Sequence, residues 1–406
     1  MIDIVFNKKE FEYDAYTLIK AFYPQEEVSI LYEGEEKTEA FQEKEEAFLV
    51  VKITYNKEDT RLEILKNKET VFEETIFLAS DDERKERKNK LKQALYRGLS
   101  KETKKVLPWG DLTGIRPTKI AMGLIESGMS NVETAEFMRN TYYTSNEKTA
   151  LAITIANRER ALLADIDYKN GYSLYVGIPF CPSICLYCSF SSYPLAKWRD
   201  KVDAYLDALC KELTYIGETM KVRTLDTIYI GGGTPTTLEP EQLERLLSHI
   251  ECCFPTREVK EYTIEAGRPD SITREKLEVI RKYPVTRISV NPQTMNQATL
   301  DLIGRRHTVE DTRHAFALAR ECGFDNINMD LIVGLPGECA KDVQKTLEEV
   351  KKMEPDSLTV HSLAIKRATR LHLFQDRYQE MSFENNQEIM DMAMNCAREC
   401  GMGPYY

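Results

Sequence analysis

The stretch Tyr175-Val-Gly-Ile-Pro-Phe-Cys181-Pro-Ser-Ile-Cys185-Leu-Tyr-Cys188 decides the fold, because it joins a β-branched run to three closely spaced cysteines. The spacing CxxxCxxC supplies one thiolate fewer than full protein ligation of a [4Fe–4S] cluster requires. Three ligands leave one iron open, and an open iron can bind a small molecule and pass an electron to it. The spacing therefore predicts an iron–sulfur cluster held by Cys181, Cys185 and Cys188.

Two other interpretations of the cysteines compete with a cluster. Positions i, i+4 and i+7 also share one face of a helix, where three cysteines would be core residues. Pro179 and Pro182 flank Cys181 and disfavour a helix there. A closed zinc site would need a fourth cysteine or histidine at a recognisable spacing, and none follows.

The composition is that of an ordinary globular protein, with 42% hydrophobic and 30% charged residues in a chain of 406. A formal net charge of −11 argues against general nucleic-acid binding. The N-terminal residues lack the layout of an export signal, and no stretch is long and apolar enough to span a membrane. Ten cysteines without such a signal predict a reducing cytoplasm, where the other seven lie mainly in cores.

We predict four segments along the chain. Residues 1–80 are typical of a small α+β unit, with an acidic solvated loop at 33–46, and residues 81–168 of a helical linker region. Residues 169–382 form the core of the protein, and 383–406 begin a C-terminal region that we expect to continue beyond Tyr406. The turn-rich stretch 108–117 interrupts the helices, and no function follows from it.

After residue 170, six short β-branched runs alternate with longer amphipathic helices, the first of these helices predicted over about 197–220. Strands that alternate with helices are joined by right-handed crossovers and therefore run parallel. The sequence predicts an α/β fold whose centre is a partial parallel (β/α)6 barrel.

Parallel α/β barrels carry their functional residues at the carboxyl ends of the strands, and the unusual residues of this chain fall there. The cysteine loop (residues 181–188) follows the first strand, and Phe180, Ile184, Leu186, Tyr187 and Phe190 are placed to shield a cluster. Gly231-Gly-Gly-Thr-Pro-Thr236 follows the second strand and is expected to point N–H groups at a ligand. Other polar residues at later strand ends are Glu265, Gln293, Arg305-Arg306-His307 and Asp330. Any one of them is equally well explained as a buried polar residue with satisfied hydrogen bonds.

Together these motifs resemble the radical S-adenosylmethionine (SAM) superfamily. Three further motifs narrow the resemblance to the oxygen-independent coproporphyrinogen III dehydrogenase (HemN-like) family. They are Ile264-Glu265, Arg287-Ile-Ser and Met329-Asp-Leu-Ile-Val-Gly-Leu-Pro336. Leu107-Pro-Trp-Gly-Asp-Leu-Thr-Gly-Ile-Arg-Pro117 is similar to the extension of its HemZ branch. The resemblance implies cytoplasmic oxidative decarboxylation of coproporphyrinogen III to protoporphyrinogen IX in haem biosynthesis.

The resemblance also implies the site. Cys181, Cys185 and Cys188 would ligate the [4Fe–4S] cluster, and the family accommodates two SAM molecules. The positions that match SAM contacts are Tyr175, Tyr187, Gly232, Gly233, Thr234, Glu265, Gln293, Arg305, Asp330 and Ala364. Carboxylates of the porphyrinogen would be neutralised by Arg268, Arg305, Arg306, Lys366 and Arg367. The expected partner is a reductant such as flavodoxin or ferredoxin, with no nucleic acid; the oligomeric state stays undetermined.

Two departures keep other functions open. Decarboxylating relatives carry a cysteine where this chain has Phe190 and a histidine where it has Gly177. Both departures are shared with a branch of haem chaperones. If this chain is such a chaperone, His361 or His307 is the expected axial ligand of the haem. A radical SAM enzyme that acts on another substrate is the third alternative.

Overall fold

The computed structural model describes residues 1–34, 47–77, 83–114, 116–378 and 381–405. Most of the predicted acidic loop at 33–46 lies outside these residues. The contacts divide the chain into two compact units, Met1–Leu162 and Leu163–Pro404. The four-segment division stays a prediction.

The first unit contains a five-stranded sheet of order β2-β1-β3-β4-β5. β1 is parallel to both of its neighbours, whereas β3, β4 and β5 are antiparallel. The strands are β1 (Ile2–Phe6), β2 (Val28–Tyr32), β3 (Leu49–Tyr55), β4 (Asp59–Lys66) and β5 (Glu69–Phe77). The helices are α1 (Glu12–Phe22), α2 (Arg84–Thr103), α3 (Thr118–Glu126), α4 (Asn131–Tyr142) and α5 (Asn146–Leu163). α1 buries one stripe against the sheet: Ala15, Leu18, Ile19 and Phe22.

The second unit contains a parallel six-stranded sheet of order β13-β12-β11-β10-β9-β6. Its strands are β6 (Tyr172–Ile178), β9 (Leu225–Gly232), β10 (Glu261–Gly267), β11 (Arg287–Gln293), β12 (Ile327–Val333) and β13 (Ser357–Ser362). β7 (Phe180–Cys181) and β8 (Tyr193–Pro194) form a separate short pair. The parallel sheet confirms the predicted fold class.

Helices connect these strands in the predicted alternation. They are α6 (Leu195–Trp198), α7 (Val202–Thr219), α8 (Pro240–Cys253), α9 (Arg274–Arg281), α10 (Gln297–Leu302), α11 (Val309–Glu321), α12 (Ala340–Met353), α13 (Arg370–Leu373) and α14 (Gln387–Glu399). The single helix predicted over about 197–220 is wrong at its start. A 3-10 turn, Arg199–Lys201, separates α6 from α7. No helix in the described ranges is both long and apolar enough to cross a membrane.

The two faces of the large sheet differ in polarity. Alternate residues such as Ile230, Ile264 and Met329 are buried beneath the helices in the main core. Their neighbours in sequence project to the other face and are polar, which follows from the period of two in a strand. On four adjacent strands these neighbours include Tyr229, Glu265, Ser289, Asn291, Asn328 and Asp330. A polar face on a parallel sheet favours a ligand there over another packed layer.

Candidate active site

The cysteine loop lies at the carboxyl edge of the sheet, directly after β6. Cys181 and Cys185 are buried and Cys188 is partly exposed, and all three are free thiols. Burial raises the pKa of Cys181 and of Cys188, since a thiolate loses hydration there. Loss of their protons therefore needs a compensating cation, which bound iron supplies.

The cysteine loop is held by segments that follow other strands of the sheet. Leu186 N–H donates to Ile303 O at 2.9 Å, and Leu371 N–H donates to Leu186 O at 3.0 Å. Leu186 also packs with Leu300, Leu335 and Leu371 in a small apolar cluster. Because Leu371 follows β13 and Leu186 follows β6, segments beyond the two edge strands contact each other at this end of the sheet. The edge strands themselves do not pair in the described sheet, so the barrel is partial, as predicted.

The glycine turn packs against the cysteine strand rather than standing open. Gly233 N–H donates to Ile178 O at 2.7 Å and Thr234 N–H donates to Phe180 O at 2.8 Å. A Cβ on Gly233 would lie 2.6 Å from Phe180 O and 3.0 Å from Cys181 Sγ. The expectation that these two N–H groups point at a ligand is therefore wrong, because the backbone before Cys181 uses them. Thr234 Oγ1 lies 3.6 Å from Cys181 Sγ and donates to it.

Glu265 is joined to two tyrosines on the polar face. The Tyr229 hydroxyl donates to Glu265 Oε1 in a short hydrogen bond. The Tyr175 ring stacks on that of Tyr229, with centroids 5.7 Å apart and planes 11° apart. Burial raises the pKa of Glu265 to about 7, the Tyr229 hydrogen bond opposes this rise, and Asp330 adds to it. Tyr229 was missed in the sequence, although its place on the polar face just before the glycine turn is a usable signal.

Asp330 belongs to a hydrogen-bonded group on the same face. Asn328 Nδ2 donates to Asp330 Oδ1 at 2.6 Å and to Ser289 Oγ at 2.8 Å. The Oδ1 atom of Asn328 in turn accepts hydrogen bonds from Ser357 Oγ at 3.0 Å and Thr359 Oγ1 at 3.1 Å. Burial raises the pKa of Asp330, because a carboxylate loses hydration there, and the hydrogen bond from Asn328 opposes this rise.

Gln293 and Arg305 carry unpaired polar atoms. Arg305 Nη1 donates to the Tyr187 hydroxyl at 3.1 Å and Nη2 to Asn291 O at 2.6 Å. Its Nε and Gln293 Oε1 are buried without a hydrogen-bond partner. Gln293 also has φ of 71°, a left-handed conformation that is rare outside glycine. Buried orphan atoms and strain of this kind mark ligand sites, since a polar ligand satisfies the atoms.

Gly232, Tyr175 and Ala364 are the predicted SAM residues that remain, and they lie on different segments of this unit. Gly232 has φ of 107°, and a Cβ there would lie 3.0 Å from Ile178 N and O. Ala364 is exposed in the segment after β13, whose neighbour Leu363 N–H donates to Val333 O at 2.9 Å. Tyr175 therefore lies on one edge strand of the sheet, and Ala364 lies in the segment that follows the other edge strand.

Three further expectations need correction. Phe190 is 71% exposed and does not shield the cysteine loop. Arg268 and Arg305 are each 4% exposed. Arg268 pairs with Asp270 and Ser183, and both Nη atoms of Arg305 pair with protein oxygens, which leaves only the buried Nε of Arg305 free. Neither group is therefore open to substrate carboxylates. His307 is 1% exposed, and burial lowers its pKa to about 4, so it is inaccessible as an axial ligand.

The donor set fits a cluster and a polar ligand. In the described part of the chain, no three His, Cys, Asp or Glu side chains are grouped to hold a single metal ion. In a [4Fe–4S] cluster, by contrast, each thiolate binds a different iron. Cys181, Cys185 and Cys188 would supply such thiolates. Gln293 Oε1 and Arg305 Nε are an unpaired acceptor and an unpaired donor, which is what a polar ligand such as SAM would require.

Residues 175–350 match the model of the radical SAM superfamily. The chain is 37% identical to the oxygen-independent coproporphyrinogen-III oxidase-like protein HemZ of Bacillus subtilis (strain 168), over 94% of this chain and 76% of that protein. It is also 37% identical to the heme chaperone HemW of the same organism, over 50% of this chain and 55% of the chaperone. The oxygen-independent coproporphyrinogen III oxidase of Escherichia coli (strain K12) is 34% identical, over 47% of this chain and 42% of that protein.

Among solved structures, coproporphyrinogen III oxidase (HemN) from Escherichia coli, described as a radical SAM enzyme, is similar with a TM-score of 0.50 and 28% identity. The similarity covers 60% of this chain and 55% of that one. The chain thus spans about half of HemN and of the chaperone, and three quarters of HemZ. The cofactors of this chain are a [4Fe–4S] cluster and SAM, as the sequence predicted.

Proposed function

We propose that this chain, which belongs to the radical SAM superfamily and to its family of oxygen-independent coproporphyrinogen-III oxidase-like proteins, converts two propionates of coproporphyrinogen III to vinyl groups. The observation that carries the proposal is the extent of similarity to HemZ, 94% of the chain against 50% for the chaperone. Each propionate carboxylate loses one β-hydrogen atom to the radical that SAM supplies, and then loses carbon dioxide and one electron, which passes to a separate one-electron acceptor. The product is protoporphyrinogen IX.

When bound, the cluster and SAM supply the radical that removes hydrogen from the substrate. The chain's own residues bind and orient these groups. We assign the cluster to Cys181, Cys185 and Cys188. We assign SAM, in one or two copies, to Tyr175, Tyr187, Gly232, Gly233, Thr234, Glu265, Gln293, Arg305, Asp330 and Ala364. Orientation of reacting groups accounts for much of the rate in such chemistry.

Exposed cations beside the site suit the substrate carboxylates. Lys366, Arg367 and Arg370 are exposed in the segment after β13. That segment is fixed to the cysteine loop through the Leu371–Leu186 hydrogen bond of 3.0 Å. With Arg268 and Arg305 committed to protein partners, we assign propionate binding to these three cations, together with exposed Arg306.

The test is anaerobic incubation of the reconstituted chain with coproporphyrinogen III, SAM and dithionite. Mass analysis should show loss of two carbon dioxide molecules and four hydrogen atoms per porphyrinogen. Cys181→Ala is the control, and it should give no product. Full iron content and SAM binding without any vinyl product would contradict the proposed substrate.

A second candidate is haem delivery, which two observations favour. The chain has Phe190 and Gly177 where decarboxylating relatives carry cysteine and histidine, and its identity to the chaperone reaches 37%. The exposed His361 on β13 would be the axial ligand. This candidate predicts that the wild type forms a 1:1 haem complex in an absorbance titration and makes no vinyl product. It also predicts that His361→Ala loses the haem complex.

The partner and location are also proposals. A one-electron donor of the flavodoxin or ferredoxin class would reduce the cluster. Ten free cysteines in the described residues suit a reducing cytoplasm. The proposed electron donor is tested by adding reduced flavodoxin to the reconstituted chain and measuring the change in cluster absorbance.

A further inference from the structure

Arg268 occupies the turn after β10 and is buried, with 4% of its surface exposed. Its Nε and Nη2 donate to Oδ1 and Oδ2 of Asp270 at 2.9 and 2.7 Å. Its Nη1 donates to the backbone oxygen of Ser183 at 3.0 Å and to Ser183 Oγ at 2.7 Å. The planar guanidinium is thus paired on one edge with a carboxylate and on the other with the cysteine loop.

Ser183 lies midway between Cys181 and Cys185, and it also contacts the segment that follows α10. Its Oγ donates to Gly304 O at 2.8 Å, next to Arg305. One serine therefore connects the loops that follow β6, β10 and β11. A displacement of Ser183 would move two proposed cluster ligands at once.

We propose that Arg268 is a positioning residue that holds the cysteine loop in its ligating shape through Ser183. Without such a contact, the cysteine loop would lose more conformational entropy when the cluster binds, because its residues would become ordered only then. Asp270 fixes the orientation of the guanidinium, so that Nη1 is presented to Ser183 without a further loss of entropy. Lysine cannot replace this arrangement, since one ammonium lacks the planar set of donors.

The inference rests on the cluster and is independent of the porphyrinogen assignment. Failure of Arg268 to affect cluster retention would leave the proposed substrate untouched. Absence of vinyl product would equally leave the role of Arg268 untouched.

The test compares the full chain with Arg268→Ala, Arg268→Lys, Ser183→Ala and the double variant Arg268→Ala/Ser183→Ala, all reconstituted anaerobically. Arg274→Ala is the matched control, because this exposed arginine pairs with Glu321 on the surface of the same unit. The readouts are the rate of iron loss to a chelator and the electron paramagnetic resonance spectrum of the reduced cluster. Thermal unfolding checks that each variant folds.

We expect Arg268→Ala to lose iron about 10- to 100-fold faster, as is usual for groups that orient metal ligands. Ser183→Ala should lose it about 3- to 10-fold faster, the value of one or two hydrogen bonds. Arg268→Lys should resemble Arg268→Ala, and both should shift the resonance spectrum. The double variant should lose iron more slowly than the product of the two single effects, since both changes remove the Arg268 Nη1–Ser183 Oγ bond, whereas only Ser183→Ala removes the Ser183–Gly304 bond.

Wild-type iron loss in a folded Arg268→Ala would overturn the inference. Multiplying effects in the double variant would also overturn it, because they would mean that the two residues act separately. Should Arg268→Ala not fold, Ser183→Ala decides alone, and wild-type iron loss in that variant rejects the role of the contact.

Discussion

Gly233→Ala tests the packing of the glycine turn against the cysteine strand. The added Cβ would lie 2.6 Å from Phe180 O, 3.0 Å from Cys181 Sγ and 3.0 Å from Ile178 O. Two of these neighbours are backbone atoms within the β6–β7 segment, so they cannot rotate away as a side chain would. The hydrogen bonds of 2.7 and 2.8 Å from Gly233 and Thr234 hold the same atoms in place. The turn and the cysteine strand must therefore separate.

The expected magnitude follows from such overpacking, which costs about 1–3 kcal/mol. For a unit of this size, each kcal/mol lowers Tm by about 2–4 °C, so Tm should fall by about 2–12 °C. Iron per chain should fall as well, because the displaced strand carries Cys181. Thermal unfolding of the metal-free chain and iron analysis after reconstitution measure the two effects.

Gly123→Ala is the control for Gly233→Ala. Gly123 lies within α3, and no atom lies within 4 Å of a Cβ added there. Alanine in a helix is favoured over glycine by about 1 kcal/mol, so this variant should be at least as stable as the wild type. A Gly233→Ala chain with wild-type Tm and iron content would refute the argument that the turn leaves no room.

Two further outcomes are expected from the polar face and from Arg305. Burial raises the pKa of Glu265 from its ordinary 4.5 to about 7, so its contribution to stability is full below pH 4.5 and is lost as pH rises through about 7. In the metal-free chain, Glu265→Gln should flatten the dependence of Tm on pH across this window, and an unchanged slope would contradict the assignment. Arg305→Lys cannot make both hydrogen bonds to Tyr187 and Asn291, so SAM affinity should fall about 10-fold or more with iron content retained. Equilibrium binding of labelled SAM measures this, and wild-type affinity would contradict the role.

Much of the fold could be predicted because its signals are local. Alternating β-branched runs and amphipathic helices predict the parallel sheet, and the strand-end rule places Cys181, Glu265 and Gln293 on one edge. The 3-10 turn at Arg199–Lys201 was missed because helical propensity hardly distinguishes it from continued α-helix.

The roles of individual polar residues could not be predicted, because they depend on contacts between distant parts of the chain. Arg268 looks like a free cation in the sequence, yet Ser183, 85 residues away, and Asp270 use its donors. The N–H groups of the glycine turn likewise look available until β6 is placed beside them. Local patterns predict elements and edges, whereas hydrogen-bond partners require the tertiary fold.

The central claim is that Cys181, Cys185 and Cys188 alone bind a [4Fe–4S] cluster that keeps one iron open for SAM. Its most direct test is the electron paramagnetic resonance spectrum of the reduced, reconstituted chain with and without SAM, together with iron analysis. The wild type and Cys252→Ala, a change at an exposed cysteine of α8, should hold about four irons per chain and shift their spectrum on addition of SAM. Alanine at Cys181, Cys185 or Cys188 should abolish the spectrum. Equal iron loading in all of these variants, or a wild-type spectrum that SAM does not change, would contradict the account.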